Sequence, residues 1–203
     1  MASIIPYNNK GKAVDIEHAI EENSAEGAIK MYERARLRIV NPLIWHLLTG
    51  AFGAKFDLYS TRPNDTKRLA KVDDYFKIDI PGPGLVSGEG FDWVKVELLE
   101  ENSEPDCEVS TAMTLRASCN PQKPDEGTAH FFDGEATSTF IIKRIGKTVY
   151  ASYHGRNEIA NTVNIPLLDK LRNKVVATGA EAGLSELQWE ALIKGFLQPE
   201  IGR

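Results

Sequence analysis

The chain has 203 residues, 42% of them hydrophobic and 26% charged, with a formal net charge of -5. These proportions are ordinary for a globular protein, so they predict a single domain over residues 1–203 with a full core and exclude an extended disordered chain. The acidic balance argues against a nucleic-acid partner, because binding phosphate needs a positive surface.

The N-terminal MASIIPYNNKGK lacks an apolar stretch followed by a small-residue cleavage site. The longest apolar run, residues 42–54, is shorter than the roughly 20 residues that span a bilayer. A soluble, cytoplasmic protein with no membrane partner is expected. Residues 1–52 are read as helical. Within the weakly patterned first 23 residues, Asp15 is placed as the cap of a short helix through Ile16, Ala19 and Ile20. Ser24 then caps a clearer helix whose apolar stripe is Ala25, Ala28, Ile29, Tyr32, Ala35 and Ile39. Lys30, Glu33, Arg34 and Arg38 are expected to face away from that stripe. Asn41-Pro42 ends this helix and starts another, with Leu43, Ile44, Leu47 and Leu48 as its apolar side. Three arginines (Arg34, Arg36, Arg38) ahead of Trp45 also fit a membrane-surface helix, but Glu26 and Glu33 favour packing on a sheet.

From Ala54 the period switches to two, and residues 53–160 read as an antiparallel β core. Phe56 and Leu58 alternate with Lys55, Asp57 and Tyr59; Phe76, Ile78 and Ile80 alternate with Tyr75, Lys77 and Asp79. Past a glycine-rich loop, Val94, Val96 and Leu98 alternate with Trp93, Lys95 and Glu97. The cleanest strand puts Val109, Thr111, Met113, Leu115 and Ala117 on one side. Residues 120–127 are a polar, proline-containing loop. A hairpin follows over residues 137–154, its turn Gly146-Lys147 having glycine first as a type II′ turn wants. In that register Phe140 faces Tyr153, Ile142 faces Ala151, and Thr139 lies opposite His154. Residues 161–203 return to helix. Asn164 caps a segment carrying Leu167, Leu168, Leu171 and Val175, and a final helix over about 186–197 is capped by Ser185 with Gln188, stapled by Leu184 and Trp189. Helices, then about six strands, then helices specify an α+β fold: an antiparallel β-barrel or strongly bent sheet with terminal helices packed on it.

The two cysteines, Cys107 and Cys119, fall on one predicted strand roughly 40 Å apart, beyond the roughly 7 Å reach of a disulfide. Both are expected to be reduced. The four histidines (His18, His46, His130, His154) have no zinc-ligand spacing, so no metal and no cofactor is predicted.

The loop PGPGLVSGEG invites a phosphate reading, but a strand follows it rather than a helix, no Lys-Ser/Thr closes the motif, and Glu89 would repel an anion. Its flanking aromatics, Phe91 and Trp93, lie on a nominally polar face. With Gly84 and Gly88 they form the leading candidate site: a non-catalytic binding or assembly module engaging a protein partner or a second copy through Gly82–Trp93. The alternative is a small-molecule site or small enzyme with a pocket between sheet and C-terminal helix, and His154, Arg156 and His130 at its mouth. On a continuing strand His154, Arg156 and Glu158 share one face. Thr137, Ser138 and Thr139 have no neighbouring base, so no catalytic residue is assigned.

Overall fold

The computed structural model describes residues 4–49, 54–60, 68–80, 88–103, 108–162 and 184–199. Seven antiparallel strands form one sheet: β1 (Lys12–Glu21), β2 (Lys55–Tyr59), β3 (Tyr75–Asp79), β4 (Asp92–Ser103), β5 (Glu108–Ala117), β6 (Thr137–Ile145) and β7 (Thr148–Glu158). Their order is β1-β7-β6-β5-β4-β3-β2, which leaves β1 and β2 as the two edges. Three helices are described: α1 (Ala25–Ile39), a short α2 (Trp45–Thr49) entered through a 3-10 turn at Pro42–Ile44, and α3 (Leu184–Leu197). All three pack on one face of the sheet, with α3 against β1, β7, α1 and α2.

The curvature of the sheet follows from one side chain. Trp45 is fully buried, and its ring lies 5.0 Å from Phe56 on β2 and 5.1 Å from Phe140 on β6. Four strand spacings separate β2 from β6, roughly 19 Å in a flat sheet. Both rings meet one indole only if the sheet bends strongly around it. Phe76 and Phe196 complete the shell around Trp45, so the core lies inside the bend. The membrane-surface reading of this segment therefore does not hold for Trp45.

Several expectations are met. Ser24 caps α1, its hydroxyl accepting from the Gly27 amide at 3.0 Å. The hairpin register is as expected, with Phe140 opposite Tyr153, Ile142 opposite Ala151 and Thr139 opposite His154. Gly146 has φ +57, the conformation that its place in the turn requires.

Others are corrected. The first segment is a strand, not a helix capped by Asp15, which makes seven strands rather than six. Val14, Ile16 and Ile20 point toward the core, while Ala19, counted on the helical stripe, is exposed. In β4 an extra residue between Val96 and Leu98 shifts the register, so Leu99 rather than Leu98 joins the core. Ile29, Leu43 and Leu47 are exposed, whereas Arg38 is buried. The final helix already runs at Leu184, so Ser185 lies inside it rather than capping it. The expected Asn164 cap and Cys107 lie outside the described residues; Cys119 is a free thiol.

Candidate functional site

The inner face of β7 carries the most unusual chemistry in the core. Phe140, Tyr153 and Trp189 form an aromatic wall, with the Trp189 ring stacked on Tyr153 at 4.8 Å. Within it, the Tyr153 hydroxyl donates to Glu158 Oε1 at 3.2 Å and lies 3.3 Å from Ser138 Oγ. Gly155 makes room for this cluster: a Cβ there would stand 2.3 Å from Glu158 Oε1 and 3.0 Å from the Tyr153 hydroxyl. Lys12 on β1 and Glu186 on α3 close the end of the cluster through a 2.6 Å ion pair.

Glu158 reaches this face because β7 gains a residue. Between the pairs Val14–Gly155 and Lys12–Glu158, β1 advances by two residues and β7 by three. Asn157 absorbs the extra residue in a left-handed conformation (φ +58), which asparagine tolerates better than most side chains. The N-terminal segment locks it: Asn157 Oδ1 accepts from the Asn9 and Lys10 amides, and the Asn157 amide donates to Asn8 Oδ1. The expectation that His154, Arg156 and Glu158 share one face is thus corrected. His154 and Arg156 stay on the outer face beside Asp15, and Glu158, only 8% exposed, turns inward. His130 is buried in the 118–132 loop, its Nδ1 accepting from the Phe132 amide. None of the three expected mouth residues joins the inner cluster, whereas Glu158 does.

The aromatic pair beside the glycine loop is not an exposed patch. Trp93 is 3% exposed; Tyr59 meets its ring edge-on at 5.4 Å, and its amide and carbonyl pair with Ala129 and Ser118. Strand β2 and the 118–132 loop cover it. Phe91 is half-buried beneath Lys77, whose Nζ lies 3.5 Å from the ring centroid. Gly88 accepts from the Trp93 indole at 3.3 Å, and Gly84 lies outside the described residues. Glu89, expected to repel anions, pairs with Lys123.

No protein-family model matches the chain, and no curated protein matches it. Solved structures do. A START-superfamily protein from Mycobacterium smegmatis aligns over 91% of this chain and 98% of its own, with 14% identity and a TM-score of 0.36. A protein from Mesorhizobium loti aligns over 93% and 99%, with 13% identity and a TM-score of 0.39. Major latex-like protein 151 from Panax ginseng aligns over 84% and 98%, with 16% identity and a TM-score of 0.32. These likenesses bear on the fold alone. Among the described residues no group of three His, Cys, Asp or Glu is placed to hold a metal, and no helix is long and apolar enough to cross a membrane.

Burial raises the Glu158 pKa above the ordinary carboxylate value of 4.5, against the pull of the Tyr153 hydroxyl, Lys12 and Arg156. The fold therefore holds this proton more tightly than the unfolded chain does. The corresponding stabilisation is whole below the ordinary pKa and is lost as pH rises through the folded value. Glu158→Gln is expected to match the wild type in urea unfolding at about pH 4 and to exceed it at about pH 8. A wild type that is the more stable protein at the higher pH would contradict this assignment.

Proposed function

We propose that the chain binds a small, mainly apolar molecule between the inner face of the bent sheet and α3, with Tyr153 and Glu158 as its polar contact. One observation carries this reading. A hydroxyl and a carboxyl are held together inside an otherwise aromatic interior, at the end where Ser138 and Trp189 are only part-buried. Apolar walls with a few converging polar groups are the usual build of a small-molecule site. Burial disfavours the ionised form of a carboxyl there, which a purely structural core would avoid by carrying an apolar side chain. The assembly reading through Gly82–Trp93 has lost its main anchor, since Trp93 offers no free surface.

The test compares two probes, naphthalene and 1-naphthol, which differ by one hydroxyl. Both are expected to bind saturably and to shift the Trp189 indole N–H signal in NMR. Naphthol is expected to bind the more tightly. Tyr153→Phe should reduce the hydroxyl's advantage by up to about tenfold, the worth of one buried hydrogen bond. Absence of saturable binding, or binding that leaves the Trp189 signal unmoved, overturns the reading.

A further inference from the structure

The outer face of the same strand holds a second constellation, separate from the inner cluster. His154 Nδ1 lies 2.5 Å from Asp15 Oδ1, and His154 Nε2 lies 3.0 Å from Ser152 Oγ. Arg156 also donates to Asp15 Oδ1, at 2.7 Å. The arrangement follows from strand geometry. Ser152 and His154 are two residues apart on β7 and so project from one face, and Asp15 is the residue of β1 paired with His154. A proton on Nδ1 is directed at the carboxylate, which leaves the Nε2 lone pair facing the serine hydroxyl. Burial works against the Asp15 carboxylate, but hydrogen bonds from Arg156 and His154 outweigh it and hold its pKa below the usual range. The acceptor of the relay is therefore ionised across the neutral range.

We propose that Ser152 is an activated nucleophile, with His154 as its general base and Asp15 as the residue that orients the imidazole. These are the roles and the nitrogen assignments of a serine-histidine-aspartate relay, built here on a sheet face rather than a turn. Ser152 Oγ attacks the carbonyl carbon of an ester while its proton passes to His154 Nε2. The tetrahedral adduct then collapses, the alkoxide or phenoxide leaves with that proton, and Ser152 is left acylated.

The surroundings narrow the substrate class. Strand β7 is hydrogen-bonded to β1 on one side and β6 on the other, so its amides are committed to the ladders and none is aimed at an oxyanion. Reaction is therefore restricted to esters with a good leaving group. Glu17 stands opposite Ser152 on β1, which disfavours anionic esters. Ile141 stands opposite on β6, with Ala112 beyond it, and offers an apolar rest for a short acyl chain. The same lack of oxyanion donors slows deacylation, so one acylation per chain is expected rather than rapid turnover.

The experiment treats the full chain with p-nitrophenyl butyrate and follows nitrophenoxide release, intact mass and the modified peptide. A burst of about one equivalent, with the butyryl group on Ser152, is expected. Ser152→Ala should abolish the burst, and His154→Gln should slow it by about a hundredfold or more. Asp15→Asn should lower the acylation rate without changing the ester concentration at half-saturation, a split that general unfolding would not produce. Melting curves check that each variant is folded; should His154→Gln fail to fold, Ser152→Ala, which removes a single hydroxyl, decides alone. No adduct, an adduct on another residue, or a burst that survives Ser152→Ala overturns the proposal.

Discussion

Replacing Trp45 by alanine is expected to lower the stability of the protein by about 3–5 kcal/mol, seen as a fall in the urea midpoint with little change in slope. The side chain is fully buried and touches rings from β2, β3, β6 and α3. Among the described residues no other ring meets rings from as many elements. Its removal leaves a cavity at the centre of the bend, where the sheet cannot collapse without giving up its curvature. It also removes the indole donor at 2.9 Å from the Arg38 carbonyl, which keeps the Asn41 amide at 3.2 Å. Trp45→Phe keeps most of the ring volume and loses the hydrogen bond, so a cost of about 1–2 kcal/mol is expected. A membrane-surface tryptophan would behave differently: its truncation would leave the urea midpoint in place.

How much of this was legible in the chain depends on whether the deciding contact is local. The β6–β7 register could be read because a two-residue turn with glycine first fixes the pairing, and alternating side chains then fill both faces. β1 was misread because Ile16, Ala19 and Ile20 satisfy a helical stripe as well as Val14, Ile16 and Ile20 satisfy a strand. Only pairing with β7, far along the chain, separates the two. Trp93 could not be placed for the same reason, since its cover comes from Tyr59 and from the loop carrying Ala129. The inner cluster was within closer reach. Asn157 is a residue that accepts a left-handed conformation, and a one-residue bulge there moves Glu158 to the other face. The Ser152–His154 spacing also marks two residues of one strand face, but periodicity alone places the third member, Asp15, at the start of a helix.

The second large effect concerns a charge that helical periodicity put on the surface. Arg38 is buried, and its Nη1 donates to the carbonyls of Gly195, Phe196 and Gln198 at the C-terminal end of α3. Carbonyls at a helix C-terminus lack the next turn's amides, although Gly195 also accepts from the Gln198 amide at 3.3 Å, and a cation at that end meets the negative pole of the helix dipole. Desolvation lowers the Arg38 pKa, yet the guanidinium stays charged. Arg38→Leu keeps an apolar stem but strands the Phe196 carbonyl and weakens two others, Gly195 keeping the Gln198 amide and Gln198 keeping Arg34, so a loss of about 1–3 kcal/mol is expected in urea unfolding. Arg34 reaches the same Gln198 carbonyl from an exposed position. Arg34→Leu should cost no more than about 0.5 kcal/mol, because water replaces the lost donor. Equal effects from the two substitutions would mean that burial does not decide the worth of these contacts. A selective effect of Arg38→Leu would instead be expected to loosen α3, and with it the Trp189 wall of the proposed ligand site, before the sheet itself gives way.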